Sequence, residues 1–111
     1  MQISIEELDG GITRAVLEGR LDIEGAAAVD LKMNVLAGSK MLLLIDLHKV
    51  TFLGSMGLRS LVVPAQTIHR RGGKAVLFAP TGMVEEVLTA SKIDSIVPIH
   101  HELSAALAAL K

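Results

Sequence analysis

A chain of 111 residues has room for one domain with a real hydrophobic core, and not for two. Half of the residues are hydrophobic but only two are aromatic, so the core must be built from Leu, Ile, Val, Ala and Met. Eleven Lys and Arg against twelve Asp and Glu leave a formal net charge of −1, which offers no electrostatic case for nucleic acid, while the lack of cysteine excludes disulfides, thiolate metal sites and cysteine nucleophiles.

The chain opens Met1-Gln2-Ile3-Ser4-Ile5-Glu6-Glu7, with neither the basic start nor the apolar run of a signal peptide. No segment approaches the roughly 18 apolar residues of a membrane span. One cytoplasmic domain, 1–111, without membrane insertion, is the expectation.

Ile3 and Ile5 alternate with polar residues and predict a half-buried strand. Asp9-Gly10-Gly11 signals a turn, and 12–18 predicts its antiparallel partner, with Arg14 disturbing the alternation. Gly19-Arg20-Leu21-Asp22 is expected to break that strand. Asp22 is placed to cap a helix over about 23–37 that faces inward through Ala28, Leu31 and Val35 and stops at Gly38. Met41-Leu42-Leu43-Leu44-Ile45 then has the length and uniform hydrophobicity of a strand buried on both faces.

The stretch after it organises the chain. Asp46 to Gly57 is expected to form a loop, with Gly54 and Gly57 freeing the backbone and Ser55 as an N-cap. Leu58, Leu61, Val62, Ala65 and Ile68 form one helical stripe behind it. Pro64 removes a hydrogen bond and costs about 3 kcal/mol, which predicts a kinked helix rather than two. A helix start presented at the end of a buried strand suits a recognition tip or an anion site.

Arg70-Arg71-Gly72-Gly73 closes this helix, and 74–79 predicts a second buried strand, parallel to and near the first. A short helix follows, capped by Thr81, with Val84, Val87 and Leu88 inward. Ile96-Val97 predicts a brief last strand, and 101–110 a final helix with Leu103, Ala106, Leu107 and Leu110 on one face. The order predicts a single α/β domain: a mixed sheet of four to five strands with about four helices packed against it.

Catalytic constellations are scarce. His48, His69, His100 and His101 lack metal-site spacing and have no carboxylate cluster beside them. Ser55 has no G-x-S-x-G elbow, and 54–57 lacks the Gly-Lys-[Ser/Thr] ending of a phosphate loop. Asp22 and Asp46 are expected near the same end of the sheet, in capping and anchoring roles. These residues call for no enzyme, metal or cofactor.

Val50-Thr51-Phe52-Leu53-Gly54-Ser55-Met56-Gly57-Leu58-Arg59 resembles the signature loop of STAS domains, the family of bacterial anti-sigma-factor antagonists. Gly19-Arg20-Leu21-Asp22 is similar to the family's Gly-x-Leu-Asp turn, and Gly72-Gly73 before an apolar strand also matches. The resemblance implies partner switching. The unphosphorylated antagonist would bind an anti-sigma factor of the Ser/Thr-kinase type and free its sigma factor; phosphorylation would break the complex and a Ser/Thr phosphatase would restore it.

Carried onto this chain, Gly57 and Leu58 match the Gly-Leu pair, and the usual phosphoacceptor position falls on Met56. Ser55 matches the loop's first serine, and is read first as a cap and second as a phosphosite. The contact surface implied by the resemblance is Asp22 with Gly54, Ser55, Met56, Gly57 and Arg59. An alternative role is that of a constitutive STAS subunit in a transporter ATPase assembly or a signalling scaffold, which needs no acceptor hydroxyl.

Overall fold

Gly10 and Gly11 both hold positive φ, 81° and 77°, which a tight hairpin turn demands and glycine adopts without steric cost. In the computed structural model, which describes all of Met1–Lys111, they fold β1 (Gln2–Leu8) antiparallel onto β2 (Ile12–Leu21). The expected break at Gly19 is a bend instead: Gly19 takes a φ of 113° inside β2, beside a shift in register, and the strand runs on to Leu21.

The chain continues through α1 (Ile23–Ser39), β3 (Leu42–Leu53), α2 (Ser55–Arg70), β4 (Lys74–Phe78) and α3 (Gly82–Ala90). A 3-10 turn (Ile93–Ser95), β5 (Ile99–His100) and α4 (Leu103–Leu110) complete it. The strands lie in sequence order, β1-β2-β3-β4-β5, and all neighbours except β1 and β2 are parallel.

Three crossovers step across the sheet in one direction. Right-handed crossovers of that kind put every connecting helix on the same face. Accordingly Val29 and Met33 of α1, Leu61 and Ile68 of α2, and Val84 and Leu88 of α3 share one core with Leu17, Ile45 and Leu77 of the sheet. On the opposite face Ala106 and Leu110 of α4 pack on Ile12, Leu44 and Val76. The parallel pairing of 41–46 with 74–79 is as predicted, through Leu42↔Lys74 to Asp46↔Phe78.

Further sequence expectations change. First, α1 buries Ala26, Val29, Met33, Leu36 and Ala37, whereas Leu31 and Val35 are 76% and 59% exposed and Ala28 is exposed too. The helix is apolar nearly all round, so its pattern does not choose a face, and the sheet accepts the side with the continuous run of Val, Met and Leu. It also passes Gly38 and ends at Ser39, where the Arg71 guanidinium donates to the carbonyls of Ala37 (2.6 Å) and Lys40 (3.0 Å).

Second, β3 does not stop at Asp46 but continues to Leu53 through two bulges. Leu17 alone opposes Leu47 and His48, and a further residue is inserted between Val50 and Phe52. Each extra residue turns the strand over, so Leu47, Val50 and Leu53 all reach the main core. Their spacing of three is why the stretch reads as a loop in a sequence searched for alternation.

Third, the last strand is Ile99–His100, not Ile96-Val97: that earlier pair follows the 3-10 turn, both of its N–H groups donating to the Ile93 carbonyl, with Val97 buried in the core and Ile96 exposed. Fourth, Thr81 is the N-cap of α3 as expected, but its side chain makes no cap hydrogen bond; its backbone carbonyl accepts from the Val84 N–H instead. The final helix starts at Leu103, which is exposed, two residues later than expected. Helix α2 runs unbroken through the buried Pro64.

Candidate functional site

The C-terminal ends of β2 and β3 are bound to each other where both chains turn into helices. The Gly54 N–H donates to the Leu21 carbonyl at 3.1 Å. Just before this bond in both strands, where Arg20 pairs with Phe52, the Arg20 guanidinium stacks 4.2 Å from the centre of the Phe52 ring. Arg20 also reaches Asp22 at 3.4 Å, and Asp22 accepts from the Gly25 N–H at 2.8 Å, capping α1 as its position predicted. The cap hydrogen bond from Gly25, with Arg20 assisting against a smaller opposing effect of desolvation, holds the Asp22 carboxyl below its ordinary range. The turn 19–22 and the tip 54–59 therefore form one surface.

The start of α2 differs from its sequence reading. Gly54, not Ser55, is the N-cap, and no side chain caps the helix. Ser55 is the first helical residue, exposed and without a hydrogen bond of its own. Its Oγ is consequently free in solvent at the positive end of the helix dipole. Met56 beside it is 40% exposed and Arg59 is exposed, one turn on, while Gly57 is buried. Gly57 is a matter of close approach rather than loop freedom: its position abuts the Leu21 carbonyl, and a Cβ there would lie 2.7 Å from Leu21 Cγ.

Beside the tip, α1 and α2 enclose an open cleft of about 210 Å³ lined by Asp30, Asn34, Met56, Arg59, Ser60 and Val63. The buried Ser60 hydroxyl donates to Asp30 at 2.5 Å and ties the two helices together. Sequence reasoning missed this pair. Its signal was a carboxylate inside an otherwise apolar stretch of α1, a placement that calls for a partner.

Asp46 does not join Asp22. Seven residues of strand separate it from the end of β3, and its fully buried carboxylate binds Arg14 (3.0 and 2.5 Å) and both the ring and the backbone N–H of His48 (2.5 and 3.1 Å). It anchors the first bulge from the α4 side of the sheet. No three metal-ligating side chains converge in the chain.

The fold as a whole has close counterparts. The family profile described as STAS domain matches residues 5–106. This chain belongs to the STAS domain family. An anti-sigma factor antagonist from Mycobacterium paratuberculosis is 27% identical, with a TM-score of 0.86 over 98% of this chain and 92% of that one. The STAS domain of a SulP transporter from Vibrio cholerae is 25% identical, with a TM-score of 0.71 over 92% and 82%. The Bacillus cell fate determinant SpoIIAA in its phosphorylated form, 16% identical, shares the fold with a TM-score of 0.73 over 96% and 98%. No curated protein matches the chain. The STAS domain of this protein thus has the anti-sigma factor antagonist fold, and no helix in it is long and apolar enough to cross a membrane.

Proposed function

We propose that this STAS domain is an anti-sigma-factor antagonist that binds an anti-sigma factor of the Ser/Thr-kinase type through Asp22, Gly54, Ser55, Met56, Gly57 and Arg59, and does so without the ordinary phosphoacceptor. The observation that carries the reading is the junction of tip and turn. Two strand ends, locked by the Gly54–Leu21 hydrogen bond, present Ser55, Met56 and Arg59 together at an uncapped helix start. Such a surface binds a partner without rearrangement. It supplies an adaptable thioether and a guanidinium, and no acid, base and nucleophile set for chemistry.

In an ordinary switch a phosphate would place about −1.5 to −2 charges at this point and expel the partner. Met56 occupies the acceptor position and its thioether carries no hydroxyl. The protein then acts constitutively, under control of abundance or of another subunit, and a Ser/Thr phosphatase has nothing to reset. The missing hydroxyl also favours a second reading, a constitutive STAS subunit of a transporter assembly or scaffold; the likeness to the SulP domain supports that one.

Titration calorimetry against the host's kinase-type anti-sigma factor tests the proposal. Wild type is expected to bind, Arg59→Glu to bind at least tenfold more weakly, and a change remote from the tip, Lys92→Ala, to bind as wild type. Equal binding by Arg59→Glu would take the tip out of the interface. No binding by the folded wild type would favour the subunit reading.

A further inference from the structure

Helix α1 carries a second apolar face that nothing in the chain covers. Ile23, Ala27, Leu31 and Val35 recur every four residues along its outer side; Ile23 is 72% exposed, Leu31 76% and Val35 59%. Isolated surface leucines are common, but a ridge of four aligned apolar residues is the element from which helices pack on one another. A helix apolar on both sides has the pattern of a buried one.

The ridge is complementary to itself. When two copies of α1 are laid antiparallel about an axis midway between Ala27 and Leu31, each Ala27 faces Leu31 of the second copy, and each Ile23 faces Val35. Small meets large at both central contacts, which lets the axes approach. The charges agree. Glu24 near the start and Lys32 near the end of the exposed side make no ion pair within the chain, and the antiparallel arrangement brings each within a turn of the other's counterpart. A parallel arrangement would set like against like. Asp30, the remaining charge near this face, is engaged by Ser60.

We propose that α1 is a self-association surface, through which two copies of this protein form a two-fold symmetric, antiparallel dimer. The interface is isologous, so it closes and cannot propagate into fibres. It is also small: one helix face offers less than the roughly 800 Å² per partner of a tight complex. The dimer is therefore weak and concentration-dependent. Because α1 is about 25 Å long, the two tips stand at opposite ends of the pair and remain open. The proposal is independent of what the tip binds.

Sedimentation velocity on the purified chain, from about 1 µM to 1 mM, a span that brackets weak association, tests it. Wild type is expected to shift from monomer to dimer. Leu31→Glu, a change at an exposed position, is expected to remain monomeric with an unchanged thermal melt. Glu24→Lys and Lys32→Glu should each weaken the dimer by roughly fivefold, as expected for a facing charge pair, and the double swap should restore it. A wild type monomeric throughout overturns the proposal. So does a dimer indifferent to Leu31→Glu, which would use another surface such as the open edge of β1, and so does a double swap no better than either single change.

Discussion

Gly57 sits directly against the carbonyl of Leu21. The first turn of α2 lies on the last residue of β2 with no space for a methyl group between them, Leu21 Cγ and Leu53 Cδ1 being 2.7 and 3.0 Å from where it would stand. Two opposing effects follow for Gly57→Ala. Alanine favours the helix by about 1 kcal/mol, whereas overpacking against a backbone carbonyl costs about 1–3 kcal/mol. The carbonyl is held by the Gly54 hydrogen bond and cannot retreat freely, so the clash prevails. Gly57→Ala is expected to lose about 1–2 kcal/mol in urea denaturation. A midpoint equal to or above wild type would mean that α2 can slide away without loss.

Ser55 separates stability from binding. As an exposed first helical residue with no cap bond, it contributes little, and Ser55→Ala should change stability by less than about 0.5 kcal/mol. A loss near the roughly 1 kcal/mol of a true N-cap would contradict the placement of Gly54 at that position. Ser55→Glu should fold equally well and bind the anti-sigma factor more weakly by calorimetry. Unchanged affinity would put the serine outside the contact.

Met56 bears on the proposed absence of phosphorylation. If the partner is the proposed kinase-type anti-sigma factor, wild type incubated with it and ATP should take up no phosphate, whereas Met56→Ser should gain one at that residue, located by mass spectrometry. The added hydroxyl stands at a helix start that is already exposed. Stoichiometric phosphate on wild-type Ser55 would restore the ordinary switch, displaced by one residue.

Asp46 sets an acid limit on stability. Burial raises its carboxyl pKa, but hydrogen bonds from the His48 ring and backbone and from Arg14 together prevail and hold it below the ordinary 3.8. A group depressed in the folded state contributes stability that is present above its unfolded value and lost as pH falls through the folded one. Thermal melts should therefore fall as pH drops below about 4. Asp46→Asn, which leaves Arg14 without its buried partner, should cost about 2 kcal/mol at neutral pH and show a shallower acid decline. Parallel declines in the two proteins would assign the acid limb to other carboxylates.

What the sequence determined by itself was whatever rests on neighbours in the chain. Gly10-Gly11 made the hairpin, the run Leu42 to Ile45 made a strand whose residues 43 to 45 are buried, with Met41 left exposed before it, and Asp22 capped α1. The tertiary structure decided what depends on contact between distant residues. Leu17 opposite Leu47 and His48 turned an apparent loop into bulged strand; the Gly54 bond to Leu21 moved the cap from Ser55 to Gly54; Gly57 became a spacer because Leu21 lies behind it. For α1 the local pattern was equal on two sides, and only packing against the sheet chose Val29, Met33 and Leu36 over Leu31 and Val35. Periodicity reports that a face is apolar, whereas burial depends on the surface that arrives to cover it.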